Sequence, residues 1–159
     1  NLLWLRKDWL DQLGLEEPEN LEDVEQILRS FVMENPGENG AENTIGLACA
    51  LDLTGNYDME YQMDIIFATH NAFPKKWILQ EDGTTKYGSV TEEAKKALEF
   101  LQRWYQEGLL DNHVVMRSND NIHEEVIKGR CGAFFGPWWA PNNPLMQSNA
   151  NNPKADWRP

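Results

Sequence analysis

No apolar run in the chain approaches the roughly 20 residues that would span a bilayer. No basic, apolar, small-residue leader opens it either. Basic residues are few: 14 Lys and Arg stand against 26 Asp and Glu, a net charge of −12. That balance repels phosphate backbones and argues against nucleic acid or an anionic membrane surface as partner. Solubility alone is a sufficient reason for the acidity.

Cysteine is scarce too. Cys49 and Cys131 fit no metal spacing, and each sits in a short apolar run, as buried free thiols do. A disulfide stays open as the alternative if their two strands are neighbours. His70, His113 and His123 show no metal spacing and no partner for nucleophilic catalysis. The sequence has no G-x-S-x-G, no phosphate loop and no zinc motif. Acid pairs occur at Glu16-Glu17, Glu92-Glu93 and Glu124-Glu125, on faces predicted to meet solvent. Glycoside cleavage needs two carboxylates placed across a cleft, and a chain this acidic offers sequence pairs by chance. The reading is therefore no enzyme, with neither cofactor nor metal.

What is present is a set of bulky anchors. Seven Trp, six Phe and four Tyr stand in a chain whose mean hydropathy is −0.63. With 41% hydrophobic residues over 159 positions, one folded domain with a real core is expected. The chain starts as though inside a strand, at residues 1–5, which reads as a segment of a longer protein.

Periodicity orders the chain. Residues 2–5 read as a strand. Trp9, Leu10 and Leu13 give helical spacing over residues 6–13, with Gly14 as the stop. Asn20 caps a second helix whose inner face is Leu21, Val24, Ile27, Leu28 and Phe31. Residues 45–50 read as a buried strand, and residues 56–72 favour a helix. Asp82-Gly83 between residues 77–80 and 84–87 predicts a hairpin.

Ser89 with Glu92 suggests a capping box before a helix with the stripe Ala94, Ala97, Leu98, Leu101 and Tyr105, stopped by Gly108. Residues 118–128 form another helix with Ile122, Val126 and Ile127 inward, and residues 131–135 a buried strand. The tail after residue 142 is rich in Asn and Pro and holds one more helical turn. No internal repeat is visible. Helices alternating with short buried strands predict an α/β class, a short central sheet flanked by helices.

One stretch raises a question. "CGAFFGPWW" at residues 131–139 ends an apolar strand in Gly-Pro and then places Trp138 beside Trp139. Neighbouring side chains point in different directions, so both indoles are buried only if the protein covers both sides.

Four segments in register carry a resemblance. "LWLRKDWLDQLGL" at residues 3–15 is followed by the capped helix, then "FLQRWYQEGLLD" at 100–111, "IKGRCGAFFGPWW" at 127–139 and "NPKADWRP" at 152–159. Together they are similar to the second lobe of extracellular solute-binding proteins of ABC importers, nearest to the lipoprotein-type binders of sugars and oligosaccharides. The resemblance implies one lobe, residues 1–159, of a two-lobe periplasmic-binding-protein-like fold that closes on ligand in the cleft. It implies a sugar or oligosaccharide ligand, ABC permease subunits as partners, and a monomer. It also implies a cell-surface lipoprotein whose lipid anchor lies outside this chain. Alternatives are a fragment of a carbohydrate-active enzyme and an interaction domain without small ligand.

Within that resemblance the Trp pair has a use. Ligands of α/β sheets bind beyond the carboxyl ends of strands, and flat aromatic rings match the C–H faces of sugars. Trp138 and Trp139 are expected ligand-binding residues, one facing in and one facing the cleft; the alternative is that both pack the core. Asn71 could bond sugar hydroxyls and Phe73 could stack, against a plain helix C-cap and a core Phe. Arg6, just past the first strand, could reach an acidic or hydroxylated ligand, against a surface charge beside Asp8 and Asp11.

The family often has an acidic, glycine-containing loop near residues 35–43. Here Asn35 and Gly37 stand where Asp would serve a cation best, and Gly46 where a bidentate Glu is needed, leaving Glu38 and Glu42. A plain turn is the reading, with a calcium loop as the alternative.

Overall fold

Strand β1 (Leu2–Arg6) runs straight into helix α1 (Lys7–Leu13), which Gly14 ends with a left-handed φ of 66°. The computed structural model describes residues 1–40, 43–55 and 59–159. Asn20 caps α2 (Leu21–Glu34) as predicted: its side chain accepts from the Asp23 backbone N–H at 2.9 Å. Val24, Ile27, Leu28 and Phe31 of that helix are buried.

Two strands, β2 (Ile45–Ala48) and β5 (Cys131–Gly136), are buried along their whole length. They pair in parallel in a four-stranded sheet of order β2-β5-β1-β6, where β6 is Trp157–Arg158. Strand β1 is antiparallel to both its neighbours, with Leu2 opposite Gly136 and Leu5 opposite Ala133. Beyond the free side of β2, the 109–111 stretch adds a bridge: the Leu47 N–H donates to Leu109 O at 2.8 Å.

Helices cover both sheet faces. Leu5, Ala133 and Phe135 pack with α1, α2 and residues Ala94, Ala97, Leu101 and Trp104 of a later helix. Trp4 and Phe134, their neighbours in sequence, pack on the other side with Ile122, Val126 and Leu145. This alternation is the strand period of two, and it explains why the central strands carry almost no polar residue. Gly132 permits a close contact, since a Cβ there would collide with the Phe31 ring. Phe31 in turn meets Trp9 edge-on at 5.2 Å.

Several expectations shift. Of residues 56–72 only α3 (Asp64–Thr69) is helical, and residues 56–58 lie outside the described ones. Tyr61 is buried, but in a turn with a left-handed φ of 67°: its N–H donates to Phe135 O and its O accepts from Ala50 N–H, each at 2.8 Å. The helix expected from Ser89 starts later. Thr91 caps α4 (Glu92–Gln106), while Ser89 lies in a 3-10 turn and accepts from the Lys75 N–H.

The inner stripe of α4 is rotated too. Ala94, Ala97, Leu101 and Trp104 are buried, whereas Leu98 and Tyr105 are exposed. Trp104 wins the inner position because its indole N–H reaches Glu25 Oε2 at 2.8 Å, a bond a buried Trp needs.

The hairpin forms as predicted, with β3 (Trp77–Leu79) and β4 (Thr85–Tyr87) joined through Gly83 at φ 81°. Ser118 caps α5 (Asn119–Ile127) in a reciprocal box with Asn121. Ile127, expected inward, is half-buried, and Glu125, expected on a solvent face, is buried in its stead. So Glu125 does not lie on a solvent face: Arg130 pairs with it at 3.0 Å and Arg117 at 3.6 Å. The tail helix is α6 (Leu145–Asn151). Among the described residues no helix is long and apolar enough to cross a membrane.

Candidate functional site

The carboxyl ends of β2 and β5 point to the same edge of the sheet, where β1 begins. Strand β5 stops at Gly136, and Pro137 is still buried. The chain then turns through Trp138 and Trp139 into a 3-10 turn at Ala140–Asn142. Trp138 is 77% exposed and Trp139 is half-buried. Neither indole is fully inside. Leu2 at the start of β1 and Leu51 just beyond β2 are exposed at the same edge, as is Met59, whose carbonyl accepts from Asn1 Nδ2 at 3.4 Å. An aromatic-led apolar rim therefore borders the place where α/β sheets take ligand.

Two tethers fix the Trp segment. At its start, the buried Trp4 indole N–H donates to Pro137 O at 3.3 Å. At its end, His123 of α5 lies 3.0 Å by Nε2 from Asn143 Oδ1. An amide oxygen only accepts, so Nε2 carries the proton. Nδ1 is then an acceptor, and Tyr61 Oη donates to it at 3.0 Å. Burial pushes the Tyr61 phenol well up from its ordinary pKa, so the hydroxyl keeps its proton. A chain of three side chains from distant segments thus holds the aromatic rim. Sequence reasoning missed all three, and also Trp4. A Tyr–His contact across 62 positions leaves no local signal.

The other predicted site residues lie elsewhere. Asn71 is exposed with φ 55°, and Phe73 is 45% exposed. Their surroundings are the hairpin: Phe73 O lies 2.0 Å from where a Gly88 Cβ would be. No hydrogen bond or ring contact joins either to Trp138 or Trp139 among the described residues.

Arg6 departs furthest from expectation. It is neither a rim residue nor a surface charge, being 2% exposed and lying at the opposite end of β1 from Leu2. Its Nε and Nη2 donate to Asp8 Oδ1 and Oδ2 at 2.8 and 2.6 Å, and its guanidinium stacks over Trp9 and Trp157. As the residue that joins β1 to α1 it is folded inward by the turn.

Both cysteines are free and buried. Cys131 begins β5 beside Ile45, while Cys49 lies past the far end of β2, so the parallel register keeps them apart. In the 35–43 loop the Asn35 side chain accepts from the Asn39 N–H, and Asn39 Nδ2 donates to Gly129 O at 2.9 Å. Glu42 lies outside the described residues.

No protein-family model matches the chain. Lipoprotein LipO of Bacillus subtilis (strain 168) is 29% identical over 131 residues, 82% of this chain. The polygalacturonan/rhamnogalacturonan-binding protein YtcQ of the same organism is 24% identical over 132 residues, 83% of the chain. The chain spans about a quarter of the length of these relatives, 25% of each. Among solved structures, the Streptococcus pneumoniae ABC-transporter substrate-binding protein FusA in complex with kestose superposes with a TM-score of 0.69. That match has 22% identity, over 85% of this chain and 27% of FusA. The fold is that of a solute-binding protein. A fructooligosaccharide ABC transporter substrate-binding protein, FusA of Streptococcus pneumoniae, is also 23% identical over 143 residues, and these relatives and neighbours are matched over only part of their length, as a single lobe would be.

Proposed function

We propose that residues 1–159 form one lobe of a solute-binding protein that captures a sugar or oligosaccharide for an ABC importer. The ligand lies on the rim led by Trp138, and another lobe of the full-length protein closes over it by a hinge motion that ligand stabilises. The observation that carries this reading is an indole 77% exposed at the carboxyl edge of the sheet and tethered on both sides. A fixed aromatic plate loses little entropy when a sugar ring stacks on it. Trp139 beside it is half-buried. Asn71 and Phe73 are secondary contacts at most, through a ligand long enough to reach the hairpin, and Arg6 is not a ligand contact.

The protein itself carries out no chemistry on the sugar. It works as a monomer at the cell surface, held by a lipid anchor outside this chain, and hands ligand to permease subunits. Calorimetric titration of the full-length protein with a panel of plant and bacterial oligosaccharides tests the reading. Saturable binding that Trp138→Ala weakens supports it. Release of reducing ends from the same panel would favour an enzyme instead.

A further inference from the structure

Strand β2 ends at the carboxyl edge of the sheet, and the chain regains the sheet at residues 109–111, which bridge in parallel beside β2. The connection between them therefore leaves at the carboxyl edge and returns at the opposite one, as a parallel crossover must. Helix α4 makes the return. It ends at Gln106, and the Leu109 N–H already donates to its Trp104 O at 2.9 Å. So α4 starts at the carboxyl edge, and the β3–β4 hairpin, joined to it by a single 3-10 turn, lies there too. An ion pair ties this hairpin to the Trp rim. Lys75, two residues before β3, lies by Nζ 2.7 Å from Oδ1 of Asp52, the neighbour of the rim residue Leu51.

The hairpin has one anchored face and one bare face. On the anchored side Ile78 is half-buried against Gly88, whose N–H donates to Lys76 O at 2.7 Å. Trp77 and Leu79 alternate with Ile78 and share the other face, and the antiparallel register sets Tyr87 opposite Trp77 on it. Trp77 is 71% exposed and Leu79 73%. The Tyr87 ring lies 5.3 Å from that of Trp77 and holds it in place. Among the described residues neither the Trp77 indole N–H nor the Tyr87 hydroxyl has a hydrogen-bond partner. Flat rings with open polar edges match the C–H face and hydroxyls of a sugar, whereas a dry protein contact would leave those donors unpaired.

We propose that the Trp77–Tyr87 face is a second sugar platform, continuous with the Trp rim through the Lys75–Asp52 pair, so that the protein takes an extended oligosaccharide. This rests on the reading of Trp138 as a ligand contact.

The test is calorimetric titration of the full-length protein with ladders of xylo-, fructo- and galacturono-oligosaccharides, each as the trisaccharide and as longer members. Wild type is compared with Trp77→Ala and Trp138→Ala. Trp77→Ala should weaken the longer members at least about fivefold, the lower end of losing one stacked ring, and leave the trisaccharide unchanged. Trp77→Phe keeps a ring and should recover most of that loss. Because the indole is exposed, the Tm of Trp77→Ala should match wild type, which separates lost affinity from lost fold. Longer members bound equally by wild type and Trp77→Ala, while Trp138→Ala still weakens them, overturn the platform and leave the Trp138 reading intact. An equal loss at every length places Trp77 in lobe closure and also overturns it. No binding of any member by wild type removes the Trp138 reading and the platform together.

Discussion

Arg103 of α4 meets Glu25 of α2 with both ends of its fork, Nη1 on Oε1 at 2.7 Å and Nη2 on Oε2 at 2.6 Å. The same carboxylate accepts from the Trp104 indole at 2.8 Å and from Arg29 at 3.0 Å. Four donors on one carboxylate bolt the two long helices together. The Arg103 bonds chiefly, then those of Trp104 and Arg29, hold the Glu25 carboxyl down at about 2, from an ordinary 4.5.

The sign of the pH effect follows. The folded value lies below the unfolded one, so the stabilisation is complete above 4.5 and disappears as pH falls through about 2. Glu25→Gln should cost roughly 2 kcal/mol at neutral pH, and the gap to wild type should narrow steadily below pH 4.5. Urea unfolding at a series of pH values reads this. A gap independent of pH would mean that the charge of Glu25 contributes nothing.

Trp138 and Trp139 should separate by exposure. Trp138→Ala removes a ring that is 77% exposed, so stability should change by no more than about 0.5 kcal/mol. Sugar affinity in the full-length protein should fall by about 1–3 kcal/mol, by analogy with bases stacked on aromatics. Trp139→Ala removes a half-buried ring and should cost about 1–3 kcal/mol of stability, less than a core Trp. Chemical denaturation and calorimetry on both variants check the pattern, and equal affinities for wild type and both variants would remove the rim from the ligand site.

The Tyr61–His123–Asn143 chain predicts a pair of variants with opposite outcomes. His123→Ala leaves the buried Tyr61 hydroxyl without an acceptor, at a cost of about 1–3 kcal/mol. His123→Gln offers an amide oxygen to Tyr61 and an amide N–H to Asn143, and should recover most of that loss. Trp fluorescence should shift in the alanine variant as the rim loosens. Equal stability of the two variants would show the ring fills space without bonding.

The thiols should be inert while the protein is folded. Burial pushes the Cys49 thiol up to about 12 and Cys131 well above its ordinary value. Thiolate is the reactive form, so a thiol reagent should label neither at neutral pH until denaturant is added, and reductant should leave Tm unchanged. Rapid labelling of native protein would place a cysteine at the surface.

Local patterns carried much of the fold, because helix caps and glycine stops are settled within a few residues. Asn20, Gly14, Gly83 and Gly108 could be read directly, since each answers a backbone need of its own neighbours. The buried strands could be read for the same kind of reason: a strand covered on both faces leaves no place for polar side chains, as residues 45–48 and 131–136 show. The Gly-Pro-Trp-Trp turn was legible as an exposed feature at a strand end. Tertiary packing decided the rest. Trp104 displaced Tyr105 from the inner stripe because Glu25, far away in sequence, offers its indole an acceptor. Glu125 went inward because Arg130 and Arg117 meet it there. Arg6 lies away from the Trp rim because the strand-to-helix turn aims it between Trp9 and Trp157. The His123 strut joins three segments that only folding brings within 3.0 Å. A sequence records the needs of each residue, but a polar group buried by the fold takes whichever partner the fold delivers, and that partner is fixed by three-dimensional packing.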